Sequence, residues 1–175
     1  MSLSANHFEV FDLPISFDID NTLLAQRYRE LQRAIHPDNY AANASERERR
    51  LALQKAAQVN EAFQTLKNPL SRGRYLLQLH GIDTNEENDM AMDSQFLMTQ
   101  MELREELAEI KQRSQPLDAL NTFLKHVEKH QQQLTDTLSQ QFTQNHFQAA
   151  RNTVRQFQFF IRLHEEALRL EEELI

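Results

Sequence analysis

The chain has 175 residues, 40% of them hydrophobic, a formal net charge of −7 and no cysteine. That is enough apolar material for one domain or two small ones with real cores. The absence of cysteine excludes a disulfide framework, cysteine-ligated zinc, a thiol nucleophile and a cysteine-held metal cluster.

Only two glycines and four prolines occur, and no stretch alternates β-branched and polar residues, which predicts an all-α protein. No run of about 18 apolar residues is present, so no transmembrane helix is expected. The N-terminus lacks a basic segment followed by an apolar run, so it does not read as a signal peptide, and a cytoplasmic location is the expectation. Residues 1–80 carry ten Lys/Arg and nine Asp/Glu, a net of +1, while residues 81–175 carry nine and seventeen, a net of −8. An acidic chain suits nucleic acid poorly, and the asymmetry predicts two halves with different partners.

Phe8, Val10, Phe11 and Leu13, ended by Pro14, predict a helix of one or two turns that fills a core. Asp20 or Asn21 can cap the next helix, with Leu23–Ile35 as its body. Leu24, Tyr28, Leu31 and Ile35 recur at helical spacing on one face. Arg29 and Arg33 fall about 140–180° away, Gln26 joins them and Arg27 flanks the stripe. Pro37 cannot extend the helix and disfavours α geometry at His36, so His36-Pro37-Asp38 projects as a polar tip. Ser45 with Glu48 forms a capping box for the next helix. Its inner face is Ala52, Ala56, Val59, Phe63 and Leu66, and the two helices are expected to be antiparallel. Asn68 then caps a helix with Pro69 at its first position, with Leu70, Leu76, Leu77 and Leu79 apolar and Gly81 as its stop.

His36-Pro37-Asp38 after a basic amphipathic helix resembles the signature of the J-domain co-chaperones. The resemblance continues at Asn60, Ala62, Phe63, Leu66, Asn68, Pro69, Arg72 and Tyr75, which follow N-x-A-F-x-x-L-x-N-P-x-x-R-x-x-Y. It implies a J-domain over residues 5–80 whose His36, Pro37, Asp38, Gln26, Arg27, Arg29 and Arg33 face a DnaK-class chaperone. Without the tripeptide, the cationic face would read as ordinary solvated helix. Asn39 stands where a basic residue is common in that family, which weakens the local positive charge.

Residues 81–92 are polar and acidic and read as a linker. Beyond them, residues 93–175 predict a three-helix bundle. Asp93 or Ser94 caps a helix to about Arg113. A second runs over about Leu117–Gln141, with Leu117, Leu120, Leu124, Val127, Leu134 and Leu138 inside. Asn145 caps a third, to about Glu172. Phe96, Leu103, Leu107 and Ile110 form the core face of the first helix, while Leu97, Met98 and Met101 lie on another arc among Glu102, Glu105 and Glu109. On the third, Phe147, Ala150, Val154, Phe157, Ile161 and Leu168 form one stripe, leaving Phe159 about 160° away, with Leu163 and Leu170 nearby in angle. A second buried stripe would explain these residues as well as a partner surface would.

This half, with Phe96-Leu97-Met98 and Met101-Glu102-Leu103-Arg104-Glu105-Glu106-Leu107, resembles the HscB family of J-type co-chaperones in bacterial iron–sulfur cluster assembly. That likeness runs from about Phe8 to the C-terminus. It implies that Leu97, Met98, Met101, Glu102, Glu105, Glu109 and Phe159 bind an IscU-type scaffold protein, and that an HscA-type chaperone is the other partner. It also implies a protein that stimulates the chaperone's ATPase, delivers the scaffold, and has no enzymatic activity or cofactor of its own. A helical adaptor without ATPase stimulation is the alternative.

Two motifs point elsewhere. His126 and His130 lie four apart, a spacing that can hold zinc. The metalloprotease motif, however, needs Glu directly after the first His, and here Val127 intervenes. No third ligand is evident, so no metal site is expected. No Ser or Cys nucleophile pairs with His36 and Asp38, so no catalytic residue is assigned.

Overall fold

Side-chain caps at Asn6, Asp20, Ser45 and Asp93 start helices of this chain, and the helices turn their apolar residues inward. The computed structural model describes residues 2–40, 42–85 and 93–175. It is all-helical, with no strand among the described residues. The chain divides into two compact units, Met1–Leu79 and His80–Ile175.

In the first unit, α1 (His7–Val10) starts with a capping box: Asn6 Oδ1 accepts from the Glu9 N–H, and Glu9 Oε2 accepts from the Asn6 N–H. α2 (Asn21–Ala34) is capped by Asp20, whose Oδ1 accepts from the Thr22 and Leu23 N–H groups, both at 3.0 Å. α3 (Glu46–Lys67) has the predicted Ser45–Glu48 box. α4 (Pro69–Leu79) starts on proline, where the missing N–H costs nothing. Past its end Gly81 has φ +74, a left-handed stop that a side chain would strain.

The stripe on α2 meets α3 as its spacing predicts. Leu24, Val59, Ala62 and Leu66 are buried. The Tyr28 ring stacks on Phe63, with centroids 3.9 Å apart and planes 5° from parallel. Its hydroxyl donates to Asn60 Oδ1 at 2.8 Å. One turn further on, Gln32 and Arg33 share a groove with Ala56, so the helices run antiparallel.

Several residues of the long motif are the frame of this unit. Arg72 is 5% exposed. Burying a guanidinium is costly unless it is partnered. Here Nη1 donates to the Leu66 carbonyl at 2.7 Å, and the Phe17 ring lies 4.8 Å beneath the charge. Burial pushes this arginine's pKa down, and nearby Asp18 opposes the shift. Tyr75 Oη accepts from the His7 N–H at 3.0 Å, fastening α1 to α4.

The second unit holds α5 (Ser94–Glu109), a 3-10 turn at Ile110–Gln112, α6 (Pro116–Thr143) and α7 (Phe147–Leu174). Asp93 caps α5 through the Gln95 N–H. Phe96, Leu103 and Ile110 pack against Leu120, Phe123 and Val127 of α6 and Phe160, Leu163 and Ala167 of α7. Residues 81–85 belong to this unit. The rest of the expected linker, residues 86–92, lies outside the described residues.

α7 buries the second stripe that the sequence left open and departs from expectation at Leu168. Phe159, Leu163 and Leu170 are core, while Leu168, assigned to the core stripe, is 40% exposed. The cause is that the buried face changes along this 28-residue helix. Ala150, Val154 and Phe157 are buried in its first half; Phe159, Leu163, Ala167 and Leu170 face the α5–α6 core in its second. Leu117, expected inside, is 41% exposed at the start of α6. Asn145 is not a cap either. It takes φ 56 in the turn between α6 and α7, where the His146 N–H bonds back to the Gln141 carbonyl at 2.8 Å. Asparagine tolerates that left-handed position better than most residues.

Candidate functional site

The first candidate surface is the tip of the α2–α3 hairpin. α2 stops after Ala34, and Pro37–Asn39 forms one 3-10 turn. The Asn39 N–H donates to the His36 carbonyl at 2.9 Å. The Asp38 N–H lies 3.3 Å from His36 Nδ1, and Asp38 Oδ2 lies 3.4 Å from the same nitrogen. These two contacts need opposite states of Nδ1. The backbone N–H bonds the bare nitrogen, whereas the carboxylate pairs with a protonated one. Both side chains are largely exposed, so the tip is held by local bonds rather than by packing.

Beside the tip an open groove of about 690 Å³ is lined by Arg29, Gln32, Arg33, Ile35, His36, Asp38, Asn39, Ala56 and Asn60. Four of the seven residues assigned to a chaperone from the sequence therefore meet at one place: Arg29, Arg33, His36 and Asp38. Gln26 lies outside the groove lining and bonds Glu30 Oε1 at 3.0 Å. Arg27 is held apart from the groove. It is half-buried, and its Nη1 donates to the carbonyls of Phe11, at 2.6 Å, and Asp12. It fastens α1's end to α2. Gln32, Asn39 and Asn60 were missed, because only antiparallel packing of α2 and α3 brings them together.

The second candidate surface lies on α5. Leu97, Met98 and Met101 are 43%, 63% and 71% exposed. Glu102, Glu105 and Glu109 are exposed on the same helix. Phe159, which the resemblance groups with them, is 6% exposed. Its ring meets Phe96 edge-on at 5.7 Å and Phe160 at 5.3 Å. The Arg104 guanidinium covers it at 5.4 Å while pairing with Glu166 at 3.1 Å. Phe159 is thus core that reaches the α5–α7 seam.

His126 and His130 do approach each other, with Nε2 atoms 3.2 Å apart, and His130 stacks on Phe160 at 4.7 Å. Burial pushes the His130 pKa down, with repulsion from His126 and Lys129 adding to it. No third His, Cys, Asp or Glu joins them as a metal-binding group among the described residues.

A helical hairpin with a His-Pro-Asp tip, followed by a second helical unit, fits the class of J-type co-chaperones. The comparisons make the family specific. The HSCB C-terminal oligomerisation domain family matches residues 92–168. A co-chaperone protein HscB homolog from Vibrio atlanticus is 46% identical over 170 residues, covering 97% of this chain and 99% of that protein. The structure of the chaperone HscB from Vibrio cholerae superposes with a TM-score of 0.87 at 44% identity, covering 98% of this chain and 100% of that one. Human co-chaperone HscB gives 0.89 at 34% identity, covering 100% of this chain and 86% of that one. The chain belongs to the HscB co-chaperone family, and it is a co-chaperone rather than an enzyme.

Proposed function

We propose that this co-chaperone stimulates ATP hydrolysis by an HscA-type chaperone of the DnaK class and delivers to it an IscU-type iron–sulfur scaffold protein, in the cytoplasm. One observation supports the reading above all: His36 and Asp38 stand with Arg29 and Arg33 around one open groove. The arginines can steer an acidic partner, since exposed charges act mainly through association rate. The short polar tip can then bind one chaperone conformation more tightly than another. Only such differential affinity shifts a conformational population toward hydrolysis.

The α5 strip supports the second half of the reading. Methionine adapts to partner surfaces, and a carboxylate rim favours a partner with basic groups around an apolar patch. With no cysteine in the chain, a cluster in transit would be held by the scaffold's ligands. The tripeptide groove and the α5 strip belong to different units, so both partners can be addressed by one chain.

The experiment is a steady-state ATPase assay of a purified HscA-type chaperone with the full chain added, alone and with scaffold. Stimulation by the chain, raised further by scaffold, is the expected result. A chain that binds scaffold yet leaves the ATPase unchanged would be an adaptor instead.

A further inference from the structure

We infer that Asn39 is a positioning residue that closes the His-Pro-Asp loop onto the C-terminus of α2. This rests on the functional reading above. A helix end leaves carbonyl groups without intrahelical donors. At the end of α2 the Ile35 N–H takes the Leu31 carbonyl at 3.1 Å. The Arg33 carbonyl takes the side-chain amide of Asn39, six residues on. The main-chain N–H of Asn39 takes the His36 carbonyl at 2.9 Å. One residue therefore bonds both the helix before the tripeptide and the tripeptide's first member.

Among the described residues, the tip itself has few other restraints. His36 and Asp38 contact each other, and their side chains are 58% and 90% exposed. Exposed loops without packing sample many conformations, so a bond across the loop's base decides how often the tip is in one of them. An asparagine amide suits this place chemically. It donates without an acidic charge at the negative end of the helix dipole. Asn39 lines the same groove as Arg29, Arg33 and His36, so closing the loop also sets that wall of the groove.

The test uses Asn39→Ala and Asn39→Asp in the full chain. Alanine removes the donor. Aspartate replaces it with an acceptor facing a carbonyl oxygen, and adds negative charge at the wrong helix end. Faster amide exchange at position 38 and shifted His36 ring resonances are expected in the free protein, with Asp worse than Ala and little change in Tm. The half-saturating concentration for ATPase stimulation should rise about three- to tenfold, because apparent affinity scales with the fraction of loops in the competent form. Maximal stimulation at saturation should not change.

Unchanged exchange and ring resonances in the free variants would overturn the inference. So would a lowered maximum with an unchanged free loop, which would make Asn39 a direct chaperone contact. A large fall in Tm would make it a general stabiliser, which also overturns it. If the wild-type chain fails to stimulate any HscA-type chaperone, the functional reading falls, and the free-protein spectra still decide whether Asn39 closes the loop.

Discussion

The two candidate surfaces are built from opposite materials. At the α2–α3 tip the exposed groups are polar and held by a few local hydrogen bonds: Asn39 to His36 and Arg33, and Asp38 to His36. On α5 the exposed groups are Leu97, Met98 and Met101, carried by a helix that buries Phe96 and Leu103 on another face. A tip of the first kind can lose its function through one side chain at almost no structural cost. A strip of the second kind spreads its contribution over several residues and grades into core, as Phe159 does.

The largest effect expected on that contrast comes from His36→Gln. ATPase stimulation should fall roughly 30-fold or more, the scale of an interface hot spot. Tm should move by no more than about 2 °C, because an exposed substitution costs little stability. Thermal melts beside an ATPase titration check both. Stimulation retained by a folded variant would break the assignment of the tip.

Next in size is the separation of strip from core. Phe159→Ala should destabilise the protein by about 3–5 kcal/mol, since it empties space beside Phe96 and Phe160. Leu97→Ala with Met101→Ala should cost stability little but weaken scaffold binding by about 2 kcal/mol or more. Denaturant unfolding and calorimetric titration separate the two variants. A Leu97/Met101 variant that binds scaffold normally would move the second surface elsewhere.

A smaller effect is expected from Arg29→Glu with Arg33→Glu. Exposed charges at an interface rim act through association rate and are screened by salt. The rate for the wild-type chain should fall as salt rises, and the double variant should bind slowly at every salt concentration. Stopped-flow association over a salt series measures this, and a salt-insensitive wild-type rate would contradict it.

The smallest effect concerns pH. Burial holds the pKa of His130, and that of His7, below the ordinary histidine value. The unfolded chain then binds more protons than the folded one as pH falls through 6.5, the unfolded value, toward the lowered folded values. Stability is therefore full above that window and is lost as pH falls through it. Tm should be lower at about pH 5 than at about pH 7.5. His130→Gln should flatten part of that slope.

The hairpin was legible because local rules decide it. Asp20 and the Ser45–Glu48 pair cap as side-chain chemistry predicts, and the Leu24–Tyr28 stripe meets Val59 and Phe63 as a single-face pattern requires. The α5 strip was legible for the same reason, since Leu97, Met98 and Met101 stand off the Phe96–Leu103 face. What spacing alone leaves open depends on distant neighbours. Arg27 looks like any surface cation until the Phe11 and Asp12 carbonyls arrive beside it. Spacing leaves Phe159 open between a second buried stripe and a partner surface, and only the packing of α5 and α6 on α7, whose buried face changes between Phe157 and Leu163, makes it buried. The groove's Gln32, Asn39 and Asn60 share no spacing in the chain; packing assembles them.

The most direct test of two separable surfaces on one chain is a single ATPase titration of an HscA-type chaperone, run with and without scaffold. It compares the wild-type chain, His36→Gln and the Leu97→Ala/Met101→Ala variant. His36→Gln is expected to lose both basal and scaffold-dependent stimulation, while the α5 variant keeps the basal part and loses only the scaffold-dependent increment. An α5 variant with reduced basal stimulation, or a His36→Gln protein that still responds to scaffold, would contradict it.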